Sequence, residues 1–256
     1  MPTPKLGQHF LTNHEAIDKI ITAADLSKKD TVLEVGPGRG ILTAELLKAA
    51  GTVVAVEKDG ELHHKLKKKF KDSDNFELSL GDIRNFHLGL MPKNYKVVAN
   101  IPYYLTGQLI PWLLTSQNPP SLSVLMIQNE VADRLTGPKG SGNLLQLASQ
   151  VFAEPQKVFF VPREDFDPAP NVDSAVITLK KHKKDMVPAG EQRSFFRILK
   201  FAFSGKRKKI TNTLSAALKV PREQILKALE QTGLSENARP QELLLAEWIQ
   251  FYNQLK

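Results

Sequence analysis

Cysteine is absent from the 256-residue sequence, which excludes disulfides and metal sites with cysteine ligands. Long apolar runs are absent too, and none approaches the roughly 20 residues of a membrane-spanning helix. The first residues, MPTPKLGQHFL, lack the apolar core of a secretory signal and the Arg- and Ser-rich composition of a transit peptide. Because disulfides are rare in reducing compartments, we expect a cytoplasmic protein that does not enter a membrane.

Acidic residues are scarce in one part of the chain only. Residues 1–180 contain 20 Lys and Arg against 20 Asp and Glu, whereas residues 181–256 contain 15 against 7 and carry the whole net charge of +8. A neutral body followed by a basic region indicates a polyanionic partner, with nucleic acid as the first candidate. A solvated basic surface that serves solubility explains the same charge, so charge alone leaves both interpretations open.

Strands alternate with helices through the first half of the chain. Short apolar runs predict strands at 31–36, 52–57, 75–80, 96–100 and 123–128. Helical patterns follow at 42–50, 61–71, 106–116 and 129–135. Such alternation is typical of a parallel sheet covered by helices on both faces. We therefore expect an α/β fold with a Rossmann-like, mostly parallel sheet.

The pattern changes in the second half of the chain. Two predicted strands, 156–162 and 173–180, are separated by a Pro-rich turn with no helix between them, which favours an antiparallel hairpin at the sheet edge. After a charged stretch near residues 182–190, helices are predicted at 192–203, 208–218, 222–232 and 240–254. We expect a sheet-containing domain over residues 1–184 and a small, basic, all-helical domain over residues 185–256.

A glycine-rich loop, VGPGRG, follows the first predicted strand and precedes a helix. Gly36 and Gly38 allow a sharp turn and a close approach of the backbone to a ligand at the helix N-terminus. Glu57 ends the next strand and can accept both hydrogen bonds of a ribose diol. The G-x-G-x-G spacing and the missing N–H donor of Pro37 favour a ligand without phosphates, such as S-adenosylmethionine, over NAD. A plain tight turn is the alternative.

Two further predicted strands end in polar residues. Asp82 follows the third strand and can accept the exocyclic amine of adenine, although a turn-forming aspartate is an equally ordinary explanation. Asn100 ends the fourth strand and is followed by Ile-Pro-Tyr-Tyr. Because the carboxyl ends of adjacent parallel strands converge on one crevice, we expect Glu57, Asp82 and Asn100 to face that crevice together.

The segment from Asn100 to Tyr103 has the chemistry that methylation of a nucleobase amine requires. The lone pair of adenine N6 is delocalised into the ring, which makes the amine a poor nucleophile. The amide oxygen of Asn100 and the main-chain carbonyls near Pro102 are acceptors that would localise this lone pair without a metal or a strong base. Tyr103 offers an aromatic face for a planar base. We interpret Tyr104 as a core residue.

These motifs together resemble one family over nearly the whole chain. The sequence is similar to the ribosomal RNA adenine N6-dimethyltransferases, and within them to the bacterial enzymes of the small subunit. The segments that carry the resemblance are GQHFL (7–11), VLEVGPGRGILT (32–43), VVAVEKD (53–59), GDIRNF (81–86), VVANIPYYLTGQLI (97–110), MIQNEVADRL (126–135), DFDPAPNVDSAVITL (165–179) and FAFSGKRKKITNTL (201–214). The Asn-Ile-Pro-Tyr element is specific to amine methylation.

The resemblance implies roles for individual residues. Those matching its S-adenosylmethionine contacts are His9, Leu11, Gly36, Glu57, Asp82 and Asn100. Asn100 and Pro102 would hold the target amine, and Tyr103 and Phe166 would clamp the adenine ring once the base is extruded. His9 and Leu11 rest on the resemblance alone. Phe166 has the alternative of a hydrophobic plug beneath the Pro-rich turn.

Basic residues before one of the C-terminal helices suit an RNA backbone. We interpret Lys206, Arg207, Lys208 and Lys209 as phosphate contacts, which position RNA without reading its sequence. The chain departs from the family at Arg39, where an apolar residue is usual. Arg39 either contacts substrate phosphate or is exposed to solvent. Only Lys5 represents the basic extension that often precedes GQHFL in the family.

We expect an enzyme that dimethylates N6 of two adjacent adenosines in a 16S rRNA hairpin near the 3′ end. Its partner would be the pre-30S particle, and nothing demands more than a monomer. The nearest alternative is a 23S rRNA methyltransferase of the macrolide-resistance type. A non-catalytic RNA-binding assembly factor is an alternative of another class, and an NAD oxidoreductase is a distant third.

Overall fold

A computed structural model of the chain describes residues 9–137 and 142–256. The chain forms two compact units, the first extending to Ala132 and including Glu154–Lys181, the second comprising Asp133–Ala153 and His182–Lys256. Within the described ranges, no helix is both long and apolar enough to cross a membrane. Lys5 and the first two residues of the GQHFL segment lie outside the described residues.

The first unit contains a seven-stranded sheet and a short two-stranded sheet. Its strands are β1 (Phe10–Leu11), β2 (Thr31–Val35), β3 (Thr52–Glu57), β4 (Phe76–Leu80), β5 (Lys96–Asn100), β6 (Leu122–Gln128), β7 (Ala153–Val161), β8 (Phe166–Asp167) and β9 (Ser174–Lys181). The large sheet has the order β4-β3-β2-β5-β6-β9-β7. β2 to β6 are parallel, and β9 lies antiparallel to β6. The predicted fold class is confirmed.

The strand order places a switch point in the centre of the large sheet. From β2 the chain moves outward through β3 and β4, and then returns to β5 on the other side of β2. In open α/β sheets, the crevice outside the carboxyl ends of the strands at such a point is where ligands bind. The loop after β2 and Asn100 at the end of β5 flank this crevice.

Helices cover the large sheet of the first unit. They are α1 (His14–Ala24), α2 (Ile41–Ala49), α3 (Gly60–Lys69), α4 (Thr106–Leu114) and α5 (Asn129–Thr136), the last of which crosses into the second unit. α1 was not predicted, although its signals are plain: the Asn13 side chain accepts a hydrogen bond from Ala16 N as an N-cap. Its buried Ile17 and Ile20 pack in the core with Val32 of β2.

The small sheet is a strap made from two distant segments. β1 pairs antiparallel with β8, with Leu11 opposite Phe166 and Phe10 opposite Asp167. Thr12 extends the pairing, because its N–H and its hydroxyl both donate to Asp165 O. The hydrophobic pattern did not predict these two-residue strands, since each is too short to show a period.

The second unit is built from helices around its own core. These helices are α6 (Leu144–Phe152), α7 (Ala189–Phe203), α8 (Ile210–Leu218), α9 (Arg222–Gln231) and α10 (Leu245–Gln254). Leu147 and Val151 of α6 are buried in one cluster with Phe195 and Trp248. α6 was not predicted. It lies before β7 but belongs to the second unit, whereas the sequence pattern predicted a helical domain over residues 185–256 only.

Candidate active site

One pocket lies at the carboxyl ends of the central strands. Nine of the predicted site residues line it: His9, Leu11, Gly36, Gly38, Glu57, Asn100, Pro102, Tyr103 and Phe166. They come from the loop after β2, the end of β3, the end of β5 with the turn that follows it, and the two strap segments, so only the tertiary fold brings them together. Glu34 and Arg39 also line the pocket, and the sequence motifs did not assign either one to a small-molecule site.

The glycine loop after β2 forms one wall of this pocket. Gly38 has φ of +59°, a left-handed conformation that favours glycine. A Cβ atom built on Gly38 would lie 3.0 Å from Cε1 of Phe10, because the Phe10 ring packs directly on this glycine. Glycine at position 38 is therefore required both by backbone conformation and by the strap residue above it.

Glu57 is held in place by two backbone amides. Its Oε2 accepts a hydrogen bond from Gly38 N at 3.0 Å, and its Oε1 accepts one from Asp59 N at 2.9 Å. An ionised carboxylate offers about four acceptor positions. The buried Glu57 side chain therefore keeps further acceptor positions for the hydroxyl groups of a ribose.

Asn100 ends β5 at the pocket, beside β6. Its Nδ2 donates to the carbonyl oxygen of His9 at 3.4 Å, which orients the amide. Among the described residues, the Asn100 side-chain oxygen forms no hydrogen bond, so an acceptor is left on the pocket side. The carbonyl of Pro102 accepts from Leu105 N at 2.8 Å, which fixes the turn after the strand.

Tyr103 lies against the strap, while Tyr104 does not. The Tyr103 hydroxyl forms a 2.8 Å hydrogen bond with Ser174 Oγ, and burial raises the pKa of the phenol. Its ring stacks on that of His9, with 6.1 Å between centroids and 24° between planes. Tyr104 is 58% exposed, so the interpretation of Tyr104 as a core residue is wrong. It lies in a 3₁₀ turn, Tyr103–Leu105, that buries Leu105 instead.

Phe166 is a buried core residue, as the plug interpretation expected, that also reaches the pocket. It is 5% exposed and packs in the hydrophobic core of the first unit, and it also lines the pocket. Its position in β8, paired with Leu11, fixes the ring at the roof of the pocket.

Asp82 lines a neighbouring crevice rather than the main pocket. The two cavities share Gly36, Glu57 and Pro102, so Glu57 lies between them. Asp82 forms a bidentate pair with Arg84, and Lys58 Nζ lies 3.1 Å from its Oδ2. These hydrogen bonds, first of all those from the Arg84 side chain, hold the pKa of Asp82 well below its usual range.

Arg39 is exposed, as one of its two sequence interpretations expected, and it also has two partners within the protein. Its NH1 donates to Asp167 Oδ2 at 2.8 Å, and its guanidinium lies 4.3 Å from the centroid of the Phe10 ring. Arg39 therefore links the glycine loop to both strands of the strap.

The predicted RNA-binding cations lie in the second unit. Lys206, Arg207 and Lys208 are exposed, and Lys209 is the half-buried N-cap residue of α8. Among the described residues, none of the four forms an ion pair with an acidic side chain. They are therefore available to an external polyanion.

Comparison with known sequences identifies the family. A profile of the family described as ribosomal RNA adenine dimethylase matches residues 3–256. The chain belongs to the ribosomal RNA adenine dimethylase family. The resemblance inferred from the sequence motifs is thereby confirmed. The ribosomal RNA small subunit methyltransferase A of Dehalococcoides mccartyi is 37% identical over 246 residues, which are 95% of this chain and 84% of the relative.

Solved structures of rRNA methyltransferases share the fold of this dimethylase family member. A dimethyladenosine transferase from Plasmodium falciparum has a TM-score of 0.82 and 27% identity, covering 95% of this chain and 96% of that one. The 23S rRNA methyltransferase ErmE has a TM-score of 0.81, also at 27% identity, covering 96% and 99%. The two neighbours agree on the fold and do not separate small-subunit from large-subunit substrates.

Proposed function

We propose that this protein transfers methyl groups from S-adenosylmethionine to N6 of adenosine in small-subunit rRNA. The products would be N6,N6-dimethyladenosines at two adjacent positions of a hairpin near the 3′ end of 16S rRNA. The observation that carries the proposal is the placement of Asn100 at the end of β5, in one pocket with the glycine loop and Glu57. The family membership supports the same reaction.

The residues of the first unit fit the proposed cofactor. Glu57 offers acceptors for the ribose, and the adjoining crevice, lined by Ile83, Leu105 and Asp82, suits the adenine ring and its amine. Gly36 and Gly38 leave room for the methionine part beside His9 and Leu11. Bound there, S-adenosylmethionine supplies an electrophilic methyl group. Because Asp82 is paired with Arg84, accepting the adenine amine requires one of these hydrogen bonds to be shared or exchanged.

Asn100 and Pro102 hold and activate the target amine. The free side-chain oxygen of Asn100 and the second lone pair of a nearby carbonyl accept the two N–H groups of adenine N6. These hydrogen bonds localise the nitrogen lone pair and direct it toward the electrophilic carbon. The rate gain comes from positioning and from fixed dipoles. The N6 proton is lost to solvent after methyl transfer.

Tyr103 and Phe166 position the base between aromatic faces. Tyr103 is anchored through its hydroxyl to Ser174, so its ring is fixed before the base enters. Base–aromatic stacking contributes about 1–3 kcal/mol per base. Such a pocket admits only an unpaired or extruded adenosine.

The second unit provides the proposed RNA contact. Lys206, Arg207, Lys208 and Lys209 would bind backbone phosphates of the small-subunit rRNA, and we assign the helical residues after 184 to RNA binding. We propose that the protein acts as a monomer on a pre-30S particle in the cytoplasm. Small-subunit specificity is supported by the names of sequence relatives such as that of D. mccartyi.

Separated ribosomal subunits test the substrate. Unmethylated 30S and 50S particles are each incubated with the protein and S-adenosylmethionine, and methylated adenosines are located by mass mapping. We expect two dimethyladenosines in 16S rRNA and none in 23S rRNA. Methylation confined to 50S particles would instead favour the large-subunit alternative. ErmE, which has the same fold, is a 23S rRNA methyltransferase.

The Asn100→Ala variant tests the catalytic role. We expect methylation of 30S particles to fall by about 100-fold or more, as for loss of a transition-state hydrogen bond, while binding to the particle is retained. Asn253→Ala, at an exposed position of α10, is the matched control and should remain fully active. A parent protein that binds the particle without methylating it would establish the non-catalytic alternative.

A further inference from the structure

Tyr104 is an exposed aromatic residue that the proposed reaction does not use. It is 58% exposed, although it directly follows Tyr103, the residue that we assign to the target base. Single exposed apolar residues are ordinary on a protein surface, so exposure alone assigns no role. The position of Tyr104 at the site and the polar groups beside it are the informative features.

The turn after β5 places the two neighbouring tyrosines at different cavities. Tyr103 lines the main pocket, whereas Tyr104 lines the adjoining crevice that we assign to the adenine of the cofactor. Pro102 lines both cavities and therefore lies at their common boundary. Tyr104 thus stands at the rim of the site, one residue beyond the ring that positions the target base.

The side chain next to Tyr104 has donors that suit a phosphate. Arg84 lies close to Tyr104, since Asp82 first, and Tyr104 to a smaller extent, raise the pKa of its guanidinium through electrostatic interactions. A guanidinium has five N–H donors, and Arg84 uses two on Asp82 and one on Gln108 Oε1. With respect to the residues that the structure describes, two donors therefore remain, on a side chain that is 47% exposed.

The charge at this rim favours a polyanion. Lys58 and Arg84 are both exposed, and within the described part of the chain their acidic partner is the same carboxylate, that of Asp82. Two cations against one carboxylate leave an excess of positive charge beside an aromatic ring. This combination of cations with an aromatic face is how proteins bind single-stranded nucleic acid.

A lid over the cofactor is the other role that the position of Tyr104 allows. Ile83 and Leu105, which line the same crevice, are buried and supply its apolar walls. More than half of Tyr104, in contrast, stays accessible to solvent. Its free face is therefore presented to a ligand that arrives from outside the crevice.

We propose that Tyr104 is the stacking platform for the nucleotide that flanks the target adenosine, with Arg84 bound to a phosphate of the same rRNA strand. This inference rests on the proposed methylation of rRNA adenosine. When the target base is extruded toward Tyr103, its neighbour in the strand loses a stacking partner. The Tyr104 ring replaces that partner and holds the strand at the mouth of the pocket.

Steady-state kinetics with unmethylated 30S particles test the platform. Tyr104→Ala should raise the KM for the particle about 5- to 150-fold, which corresponds to the loss of one base–aromatic stack. Its kcat should change little, because the flanking contact is the same in the ground state and in the transition state. An unchanged kcat also shows that the variant is folded. Tyr104→Phe keeps the ring and should stay within about twofold of the parent in KM.

Two controls separate stacking from other roles of the residue. Phe160→Ala removes an exposed aromatic residue from the edge strand β7, and it should leave the KM unchanged. The affinity of Tyr104→Ala for S-adenosylhomocysteine, measured by calorimetry, should equal that of the parent. A loss of this affinity as large as the change in KM would identify Tyr104 as a lid over the cofactor and overturn the proposal. An unchanged KM in Tyr104→Ala would overturn it as well.

A photo-crosslink locates the nucleotide. p-Azidophenylalanine is introduced in place of Tyr104, the variant is bound to 30S particles and irradiated, and primer extension finds the crosslinked nucleotide. We expect a nucleotide of 16S rRNA directly beside a methylated adenosine. A crosslink elsewhere, or none in a variant that still methylates the particle, would contradict the proposal. If the parent protein methylates no adenosine of the 30S particle, the proposed function fails rather than this inference alone.

Discussion

The side chains around the pocket are oriented mainly by backbone groups. Glu57 accepts hydrogen bonds from the amides of Gly38 and Asp59, and Asn100 donates to the carbonyl of His9. The His9 ring in turn contacts the carbonyl of Pro168 through Nδ1. Because main-chain atoms hold these groups, their positions are set before a ligand arrives, which lowers the cost of binding.

Burial raises the pKa of Glu34 to about 8, and this shift predicts how stability depends on pH. Between about pH 4.5 and pH 8 the folded protein keeps a proton that the unfolded chain has lost, so the free energy of unfolding falls as pH rises. The shift corresponds to a few kcal/mol over this range. Urea unfolding of the cofactor-free protein at pH 5 and pH 8, followed by circular dichroism, measures the fall.

The Glu34→Gln variant is the control for this pH dependence. It has no carboxyl group to ionise, so its stability should decline less than that of the parent between the same two pH values. Parallel pH profiles for the two proteins would show that Glu34 titrates normally in the folded state.

At the scale of elements, the strap covers the pocket with two very short strands. β1 and β8 contribute only two residues each, yet they place Leu11 and Phe166 over the pocket. The strap is tied to the glycine loop by Arg39, through Asp167 and through the Phe10 ring. Opening this connection would expose the bound cofactor, so we expect the strength of the Arg39 contacts to set how fast the cofactor leaves.

Arg39→Met tests the connection between loop and strap. The change removes the ion pair and the cation–π contact, each worth about 0.2–1 kcal/mol at exposed positions. We expect S-adenosylhomocysteine to dissociate about three- to tenfold faster, measured by stopped-flow fluorescence, with little effect on the catalytic step itself. Lys19→Met is the matched control, because Lys19 also pairs with an exposed carboxylate and lies over a Phe ring, away from the pocket.

Reversing the two charges of the Arg39–Asp167 ion pair tests whether this ion pair itself slows dissociation of the ligand. Arg39→Asp should accelerate dissociation more than Arg39→Met, and adding Asp167→Arg should recover part of the loss. Unchanged dissociation in Arg39→Met would show that backbone pairing alone holds the strap.

At the scale of the whole molecule, the two units carry different charge. The first 180 residues are balanced, and the excess of positive charge lies in residues 181–256, most of which belong to the second unit. The pocket and the phosphate-binding cations are thus assigned to separate compact units. Such a division lets RNA affinity change without altering the pocket.

A variant in which four basic residues are all changed to Gln tests this division. The four residues are Lys206, Arg207, Lys208 and Lys209. Each lost phosphate contact lowers the magnitude of the slope of log K against log salt by about 0.7–0.9, so the loss of four contacts should lower it by at most about 3.6. Filter binding to a 16S rRNA fragment at several salt concentrations measures it, while affinity for S-adenosylmethionine should not change.

The charge-matched control changes three residues of α3, Lys65, Lys67 and Lys68, and one residue just after it, Lys71, to Gln. This set removes the same formal charge from an exposed segment of the first unit. Equal losses of RNA affinity in both sets would show that net charge, rather than the cluster before α8, determines binding.

Local patterns were sufficient to predict most of the fold. β-branched runs bounded by turns marked the strands of the large sheet, and their alternation with helices required a parallel sheet. The order of the strands, with β2 between β3 and β5, was not predicted and comes from the tertiary structure. The helices α1 and α6 were not predicted, although each begins at an Asn side chain that accepts a hydrogen bond as an N-cap, Asn13 for α1 and Asn143 for α6.

The site was only partly predictable from the sequence, because contacts between distant residues orient some of its side chains. Asn100 and Glu57 stand at strand ends, where sequence position alone implies a direction. Tyr104 and Tyr103 are neighbours with the same chemistry, and only the 3₁₀ turn determines that Tyr103 faces Ser174 while Tyr104 faces solvent. Arg39 acquires a partner 128 residues away, which no local pattern encodes.

The sequence by itself determined the family, the strand–helix alternation and the chemical groups at the strand ends, because these depend on short-range patterns and on motifs within a few residues. Only the tertiary structure decided what surrounds Glu34, what covers the pocket and what Arg39 binds. These outcomes depend on burial and on contacts between distant segments. A carboxyl group in a strand looks the same in sequence whether water or a cavity lies beside it, and its charge differs between the two.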